Sequence, residues 1–403
     1  MSPNGDGMPV VLTINAGSSS LKWALFRLEA SPVRIATGRI ERIGLPDALV
    51  NSIDVETGRS EQRTAQVADH AAALALLTDQ LARSGRALTV QAIGHRVVHG
   101  GDRYGEPALV SPEMLVELQR LSPYDPEHMP AELGLIESLT ERYPQVPQVV
   151  CFDTGFHRHL PAVARLLAIP RRYERMGVRR YGFHGLSYAY LMEELERVAG
   201  REAAHGRVIL AHLGNGVSMA AVRDGIGIDT TMGFTPTAGL PMSSRSGDLD
   251  PGLFAYLAKT EGMTAEEFHD MVNARSGLLG VSETSSDLRD LLAREAEDER
   301  AAEAVALFCY QGKKCIGAYA AALGGLDQLV FSAGIGEHSP VVRERMCKGL
   351  DHLGIRLDPA QNEAGAAVIS AADSPVVVRV IRTDEESQIA RAVCRWLKLE
   401  TGC

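Results

Sequence analysis

The sequence predicts an α/β protein made of two related halves with an interdomain cleft between them. Three observations carry that expectation. Short apolar runs alternate with stretches of helical periodicity, which is the pattern of sheets covered by helices. A theme of apolar strand, glycine-containing turn and second apolar strand occurs twice, as VVLTINAGSSSLKWALFRLE from Val10 and VILAHLGNGVSMAAVRDG from Val208. The 403 residues exceed what one hydrophobic core usually holds, yet no low-complexity or Pro/Gly/Ser-rich linker separates the halves. An internal duplication explains the repeated theme, and two unrelated hairpins are the open alternative.

Along the chain, VVLTINA, LKWALFRLE and VRIATGRI read as strands, and residues 66–82 as a helix. VQAIGHRVVHGG reads as a buried strand that ends in a glycine-rich turn. A helix over 127–143 leads into the strand QVVCFDTGF. The second cycle opens near Arg207 and carries helices over 264–275 and 301–323. QLVFSAGIGEHSPVVRERM reads as a strand, a Gly-X-Gly turn and the start of a helix, and VVVRVIRTDEESQIARAVCRWL as a last strand and helix. The domains expected are 1–155 plus 388–403, and 156–387.

Composition narrows the function. A net charge of −10 argues against non-specific nucleic-acid binding, although local arginines can still hold a small anion. Six cysteines with no CxxC pair point to a reducing compartment. MSPNGDGMPV has no basic region followed by an apolar core, and no apolar run nears the roughly 20 residues of a membrane helix. A cytoplasmic protein without nucleic-acid or membrane partners is expected.

Three consecutive serines and a lysine in INAGSSSLK exceed what a reversing turn requires. The chain has neither GxxxxGK[ST] nor a GxGxxG after its first strand. It does have AGSSS, LGNGVS and AGIGE, each directly after an apolar strand. Glycine lets backbone amides approach phosphate oxygens, so the three together point to a nucleotide. Arg96 in GHRVVHGG and Arg245 in SSRSGDLDP sit among small residues, where a guanidinium fork suits a carboxylate or phosphoryl oxygen. A solvated surface charge is the plainer account of a loop arginine, and a structural role the plainer account of His184 in RRYGFHG. Asp153 ends a strand in CFDTGFH, as a metal-linked carboxylate or a helix cap does, and Asp384, Glu385 and Glu386 precede a helix.

INAGSSSLK, GHRVVHGG, FDTGFH, RRYGFHGLS, HLGNGVS, DTTMGFTPTAGLPMSSRSGDLDP, SGLLGVS with SSDLRDL, AGIGE and TDEE together resemble the acetate kinase family, in order from about Val11 to Ala392. The resemblance implies duplicated ribonuclease-H-like domains of the actin and hexokinase type. It implies reversible phosphoryl transfer from ATP to acetate, giving acetyl phosphate and ADP, with Mg2+ or Mn2+. By the same resemblance Asn15 and Glu385 place the metal, with Glu386 as a competing neighbour. Ser18, Ser20 and Lys22 line the phosphate side, as do His212, Leu213, Gly214, Asn215 and Gly216. Asp287, Leu288 and Arg289 lie near the adenosine, with Gly334, Ile335, Gly336, Glu337 and His338. Arg96 and Arg245 grip the carboxylate and the moving phosphoryl group, His184 donates a hydrogen bond, and Asp153 orients an arginine or a magnesium-bound water. Val98, Phe183 and Pro236 form an apolar pocket, and the C-terminal domain carries most nucleotide contacts and a homodimer interface.

Two departures stand out. The family's Leu-His-Asn-Pro is replaced by LSPYDPEHMP, one residue shorter, with Tyr124 and Asp125 in place of His and Asn. His128 is the residue expected to reach the same space, and the change puts acyl-group size in question. His338 stands where Asn is usual. The alternatives are a propionate or other short-chain carboxylate kinase, a sugar kinase of the same superfamily, and a nucleotide-binding regulator without catalysis. A sugar kinase must deprotonate a hydroxyl and has no need of two arginines facing a carboxylate. Against the regulator stands the full set of Asn15, Arg96, Asp153, His184, Arg245 and Glu385.

Overall fold

The repeated theme folds as two hairpins, and a sheet grows from each. In this computed structural model, residues 7–17, 19–83 and 87–399 are described; Ser18 and Cys403 lie outside the described residues. The chain divides into one unit holding the described residues up to Gly155 together with those from Asp384 onward, and a second unit, Phe156–Thr383. Residues 384–387, assigned from sequence to the second domain, therefore belong to the first. They open a helix whose apolar stripe packs on the first sheet.

In the first unit β1 (Met8–Gly17) and β2 (Ser20–Arg27) pair antiparallel, with Gly17 opposite Ser20. β3 (Val33–Glu41), β4 (Ala48–Asp54) and β5 (Ser60–Ala65) continue the meander. On the other side of β1 lies β6 (Leu88–Val97), parallel to it. After the short β7 (Ala108–Leu109), β8 (Gln148–Phe152) returns parallel to β6, and the order is β5-β4-β3-β2-β1-β6-β8-β7. The helix expected over 66–82 spans His70–Arg83; residues 66–69 lie outside it, and the Asp69 carboxylate accepts from the Ala72 amide in its first turn. Strand β5, SEQRTA, is polar and exposed and lacks an apolar alternation that would mark it.

Strand alternation sorts the first sheet's faces. Val10, Leu12, Ile14 and Ala16 join Leu74 and Leu77 of the helix His70–Arg83 and Leu135 and Leu139 of the helix Met129–Arg142 in one core. Asn15, offset by one, meets the first turn of the helix Glu385–Leu397. That helix lies close over β6 because residue 94 is glycine: a Cβ there would sit 2.5 Å from an Ile389 methyl and 2.7 Å from a Val393 methyl.

The second unit repeats the arrangement. β9 (Arg207–Leu213), β10 (Val217–Arg223) and β11 (Ile226–Thr230) are antiparallel, and β12 (Gln328–Ser332) and β13 (Val377–Val380) add parallel strands beyond β9. The order β11-β10-β9-β12-β13 has the directions of β3-β2-β1-β6-β8 strand for strand. Tyr188, Leu191 and Leu195 of the helix Gly185–Ala199 cover one face, meeting Val208, Leu210, Ala220 and Val222. The helix Glu299–Leu323 packs on β9 and β10. The duplicated α/β fold class is thus the observed one. The Gly-X-Gly segment after β12 is not a turn followed by a helix: Ala333–His338 is itself a short helix, entered through Ala333 at φ 64. No helix among the described residues is long and apolar enough to cross a membrane.

His95, on the central strand β6, is 1% exposed, with Nε2 2.6 Å from Gln148 Oε1. Gln148 Nε2 donates to Thr140, so its oxygen accepts from His95 Nε2–H, and His95 Nδ1 is buried without a partner. Burial accordingly lowers its pKa from 6.5 to about 4. A histidine held neutral contributes its stability above the unfolded value and loses it as pH falls towards the folded one. Between pH 6.5 and about 4, unfolding free energy should drop by up to about 3 kcal/mol on this account. Urea titrations across that range should show a shallower acid loss for His95→Gln than for the native chain.

Candidate active site

The end of β1 and the end of β6 bring the first set of polar groups together. Asn15 Nδ2 donates to Glu385 Oε2 at 3.0 Å and to Glu386 Oε1 at 3.5 Å, so both candidate acids touch it and Glu385 is the closer. Arg96 Nη1 donates to the Ala16 carbonyl at 3.2 Å and to Glu132 Oε1 at 3.0 Å, and its Nη2 donates to Asp153 Oδ2 at 2.8 Å. Burial opposes the guanidinium charge, but Asp153, Glu132 and Glu385 outweigh it and hold Arg96 above its ordinary pKa. Glu385 is pushed up to about 6, first by desolvation and then by the charge of Asp153, with Arg96 and Lys22 pulling the other way. Ser20 Oγ lies against Gly17, and Lys22 is exposed.

Glu132 was not visible as a site residue in the sequence. It is 2% exposed, and its second oxygen accepts from the Val98 amide at 2.9 Å. Burial raises its pKa to about 7 against the pull of Arg96 and the Val98 amide. A signal existed: Glu132 shares the buried stripe of its helix with Met129, Leu133 and Ile136, where a charge is out of place unless paired.

The 122–130 segment builds the entry to that helix. Asp125 Oδ1 accepts from the His128 amide at 3.2 Å and pairs with His128 Nδ1 at 2.8 Å. Tyr124 stands edge-on to His99, with ring centroids 5.2 Å apart. His128 thus engages Asp125, and its charge acts on Glu132, the partner of Arg96.

The second unit gathers its own set. His184 caps the helix Gly185–Ala199 in a left-handed conformation, at φ 58. Its Nδ1 is 2.9 Å from Ser218 Oγ, and its ring stacks on His212 with centroids 4.1 Å apart. His212 Nδ1 meets Ser187 Oγ at 2.8 Å, and Ser187 Oγ meets Thr383 Oγ1 at 2.7 Å. Phe183 is buried, and its carbonyl accepts from His157 Nε2 at 3.0 Å, a contact the sequence did not suggest. Arg245 Nη1 donates to the Pro236 carbonyl at 3.4 Å. Gly216 links the pieces: a Cβ there would lie 3.0 Å from His184 Nε2 and 3.7 Å from Arg245 Nη1.

The Leu213–Val217 turn closes through Gly214 N–H donating to the Gly216 carbonyl at 3.1 Å, and the Asn215 carbonyl accepts from Ser243. The short helix Ala333–His338 adjoins this turn, with the Ala333 Cβ 3.5 Å from the Cβ position of residue 214. Within it Glu337 Oε1 accepts from the amides of Ala333 and Thr383, while the buried Arg343 donates to the Gly336 and Glu337 carbonyls. Gly334 is exposed, Ile335 is half-buried and the His338 side chain is 82% exposed. Asp287 caps the helix Leu288–Arg294, and its carboxylate pairs with the exposed Arg289 at 2.6 Å. Leu213 and Leu288 are buried, so these two positions offer a ligand only backbone.

A hard divalent cation fits the first set on one observation in particular. Asp153 Oδ1 is buried without a hydrogen-bond partner, while Oδ2 is held by Arg96. A carboxylate oxygen so placed suits a cation or its water ligand, and Glu385 and Asn15 are oxygen donors in the same unit. Among the described residues no three acidic, histidine or cysteine groups converge to form a complete cage.

The sequence profile of the acetokinase family matches residues 10–391. The chain belongs to that family. Acetate kinase of Geobacillus kaustophilus is 44% identical over 97% of this chain and 100% of its own, and that of Rhodopseudomonas palustris is 45% identical over 96% and 98%. The solved acetate kinase of Porphyromonas gingivalis is 36% identical and covers 96% of this chain and 100% of its own, at a TM-score of 0.87. A propionate kinase from Francisella tularensis is 33% identical, with 96% and 99% covered, at a TM-score of 0.89.

Gly216 gives this family member a sharp test. In Gly216→Ala the new methyl would press on His184 Nε2, so turnover should fall at least about tenfold. The melting temperature should stay within about 3 °C of the native value, since the turn lies outside the sheet core. Steady-state rates and a thermal melt check both.

Proposed function

We propose that this chain transfers the terminal phosphoryl group of ATP to acetate, reversibly, yielding acetyl phosphate and ADP. Membership of the acetokinase family supports the reaction. The observation that carries the assignment of roles is the Arg96–Asp153 pair, in which one carboxylate oxygen holds the guanidinium and the other is buried and unpaired. Magnesium, with manganese able to replace it, is the cation this arrangement would hold, through Asp153, Glu385 and Asn15. When bound it supplies positive charge to the phosphate oxygens. Family membership also supports a cytoplasmic homodimer.

The chemistry asks little covalent help of the protein. A carboxylic acid with a pKa near 4–5 is already ionised at pH 7, so the nucleophile has no proton to give up. What remains is alignment and positive charge where the equatorial oxygens are negative. Arg96 and Arg245 hold the carboxylate and the transferring group, His184 donates to a phosphoryl oxygen, and Asp153 keeps Arg96 in orientation. Val98, Phe183 and Pro236 receive the methyl group. The Leu213–Val217 turn receives nucleotide phosphates, and Asp287–Arg289 with Gly334–His338 the adenosine. Propionate is the second reading, favoured by the likeness to the Francisella propionate kinase and by the changed 122–130 segment. One methylene changes binding by only about 1–3 kcal/mol.

Initial rates of ADP release with magnesium-ATP and acetate, propionate, butyrate or no acid test the proposal. The highest kcat/KM is expected with acetate; a higher value with propionate transfers the assignment to the second reading, and no turnover with any acid refutes both. Arg245→Ala should lower kcat by roughly 100–1000-fold, as loss of one transition-state donor does. Chelation by EDTA should abolish turnover, and Glu385→Gln should raise the magnesium concentration needed for half-maximal rate severalfold, about 3–10-fold, with KM for acetate little changed.

A further inference from the structure

We propose that Glu132 is a positioning residue for Arg96, seated by the Asp125–His128 pair at the entry of its helix. The inference rests on the carboxylate kinase reading, since it assigns Arg96 to the substrate. Arg96 has five N–H groups. Among the described residues two from Nη1 go to the Ala16 carbonyl and Glu132, and one from Nη2 goes to Asp153. The three acceptors fix the plane of the guanidinium and leave Nε–H and one Nη2–H for a ligand. Asp153 alone would hold one corner and let the fork turn about it.

Glu132 is suited to this task in three ways. Its two oxygens divide the work, Oε1 on Arg96 and Oε2 on the amide of Val98, so the guanidinium is registered against the backbone of the segment that carries the pocket residue. Its own place is fixed: the Glu132 amide donates to the His128 carbonyl and the Met129 amide to the Asp125 carbonyl, while the Asp125 carboxylate holds the His128 amide and ring. Its charge has no use in attracting an anion, because beside Asp153 and Glu385 it makes the surroundings of Arg96 more negative. A buried carboxylate that opposes substrate charge, yet makes two well-formed hydrogen bonds, acts through geometry. The Tyr124–His128 segment is thus the device that places the first helical turn, and Glu132 is what it delivers.

The test compares the full-length native chain, Glu132→Gln, Arg96→Lys and the double variant, by kcat and KM for both substrates and by thermal melts. Glu132→Gln keeps size and one acceptor but cannot accept at both positions. It should lower kcat with acetate at least about tenfold while KM for magnesium-ATP stays within about twofold. On the Arg96→Lys background the same change should cost less than about threefold, because the group it positions is already gone. A Glu132→Gln kcat within about twofold of native overturns the proposal, as does a loss of undiminished size on the Arg96→Lys background. Should Glu132→Gln fail to fold, Asp125→Asn takes its place; it should lower kcat about 3–10-fold with KM for magnesium-ATP unchanged, and an unchanged kcat overturns the proposal. A native chain that turns over no acid removes the kinase reading itself, a result distinct from all of these.

Discussion

The guanidinium of Arg96, shared between two buried carboxylates, is the interaction that ties the polar groups of the first unit together. Desolvating three charges costs several kcal/mol each, and stability alone gives no reason to retain them where apolar packing would serve. The cost is met by completeness: the Ala16 carbonyl, Glu132 and Asp153 all accept from the one cation, and the Val98 amide satisfies the remaining Glu132 oxygen. Among the described residues Asp153 Oδ1 is buried without a hydrogen-bond partner, and Nε–H and one Nη2–H of Arg96 are not used by these three acceptors.

Duplication explains why the polar groups gather where they do. Each unit begins its sheet with a hairpin, β1–β2 or β9–β10, and each hairpin is extended by parallel strands on one side. Strand ends in such a sheet offer backbone and short side chains together, as Asn15 to Gly17 do in the first unit and His212 to Gly216 in the second. The copies have diverged in what supports them. In the first, a helix from the far end of the chain lies over Gly94 and presents Glu385 to Asn15. In the second, the stacked imidazoles of His184 and His212 are held by Ser218 and Ser187, and Gly216 gives them room.

The fold and the Leu213–Val217 glycine turn were legible in the sequence because both rest on local rules. Apolar alternation marks β1, β2, β9 and β10, and helical periodicity marks the helices His70–Arg83 and Glu299–Leu323 to within a few residues. β5 escaped because an edge strand buries little and needs no apolar face, as the polar, exposed SEQRTA shows; β4 lies inside the sheet but gives the core only Ala48 and Val50. The short helix Ala333–His338 escaped because Glu337 folds back on the Ala333 amide, a contact that composition does not announce.

The sequence by itself determined the α/β class, the repeated hairpin, and the family through its motifs, since each is written in neighbouring residues. Tertiary structure decided which acids meet which bases. Glu132 reads as an ordinary helical glutamate until the helix is laid beside Arg96, 36 positions earlier in the chain, and Asn15 meets Glu385 across 370 positions. Charge pairing is set by distance and burial in space, and spacing along the chain carries no record of either.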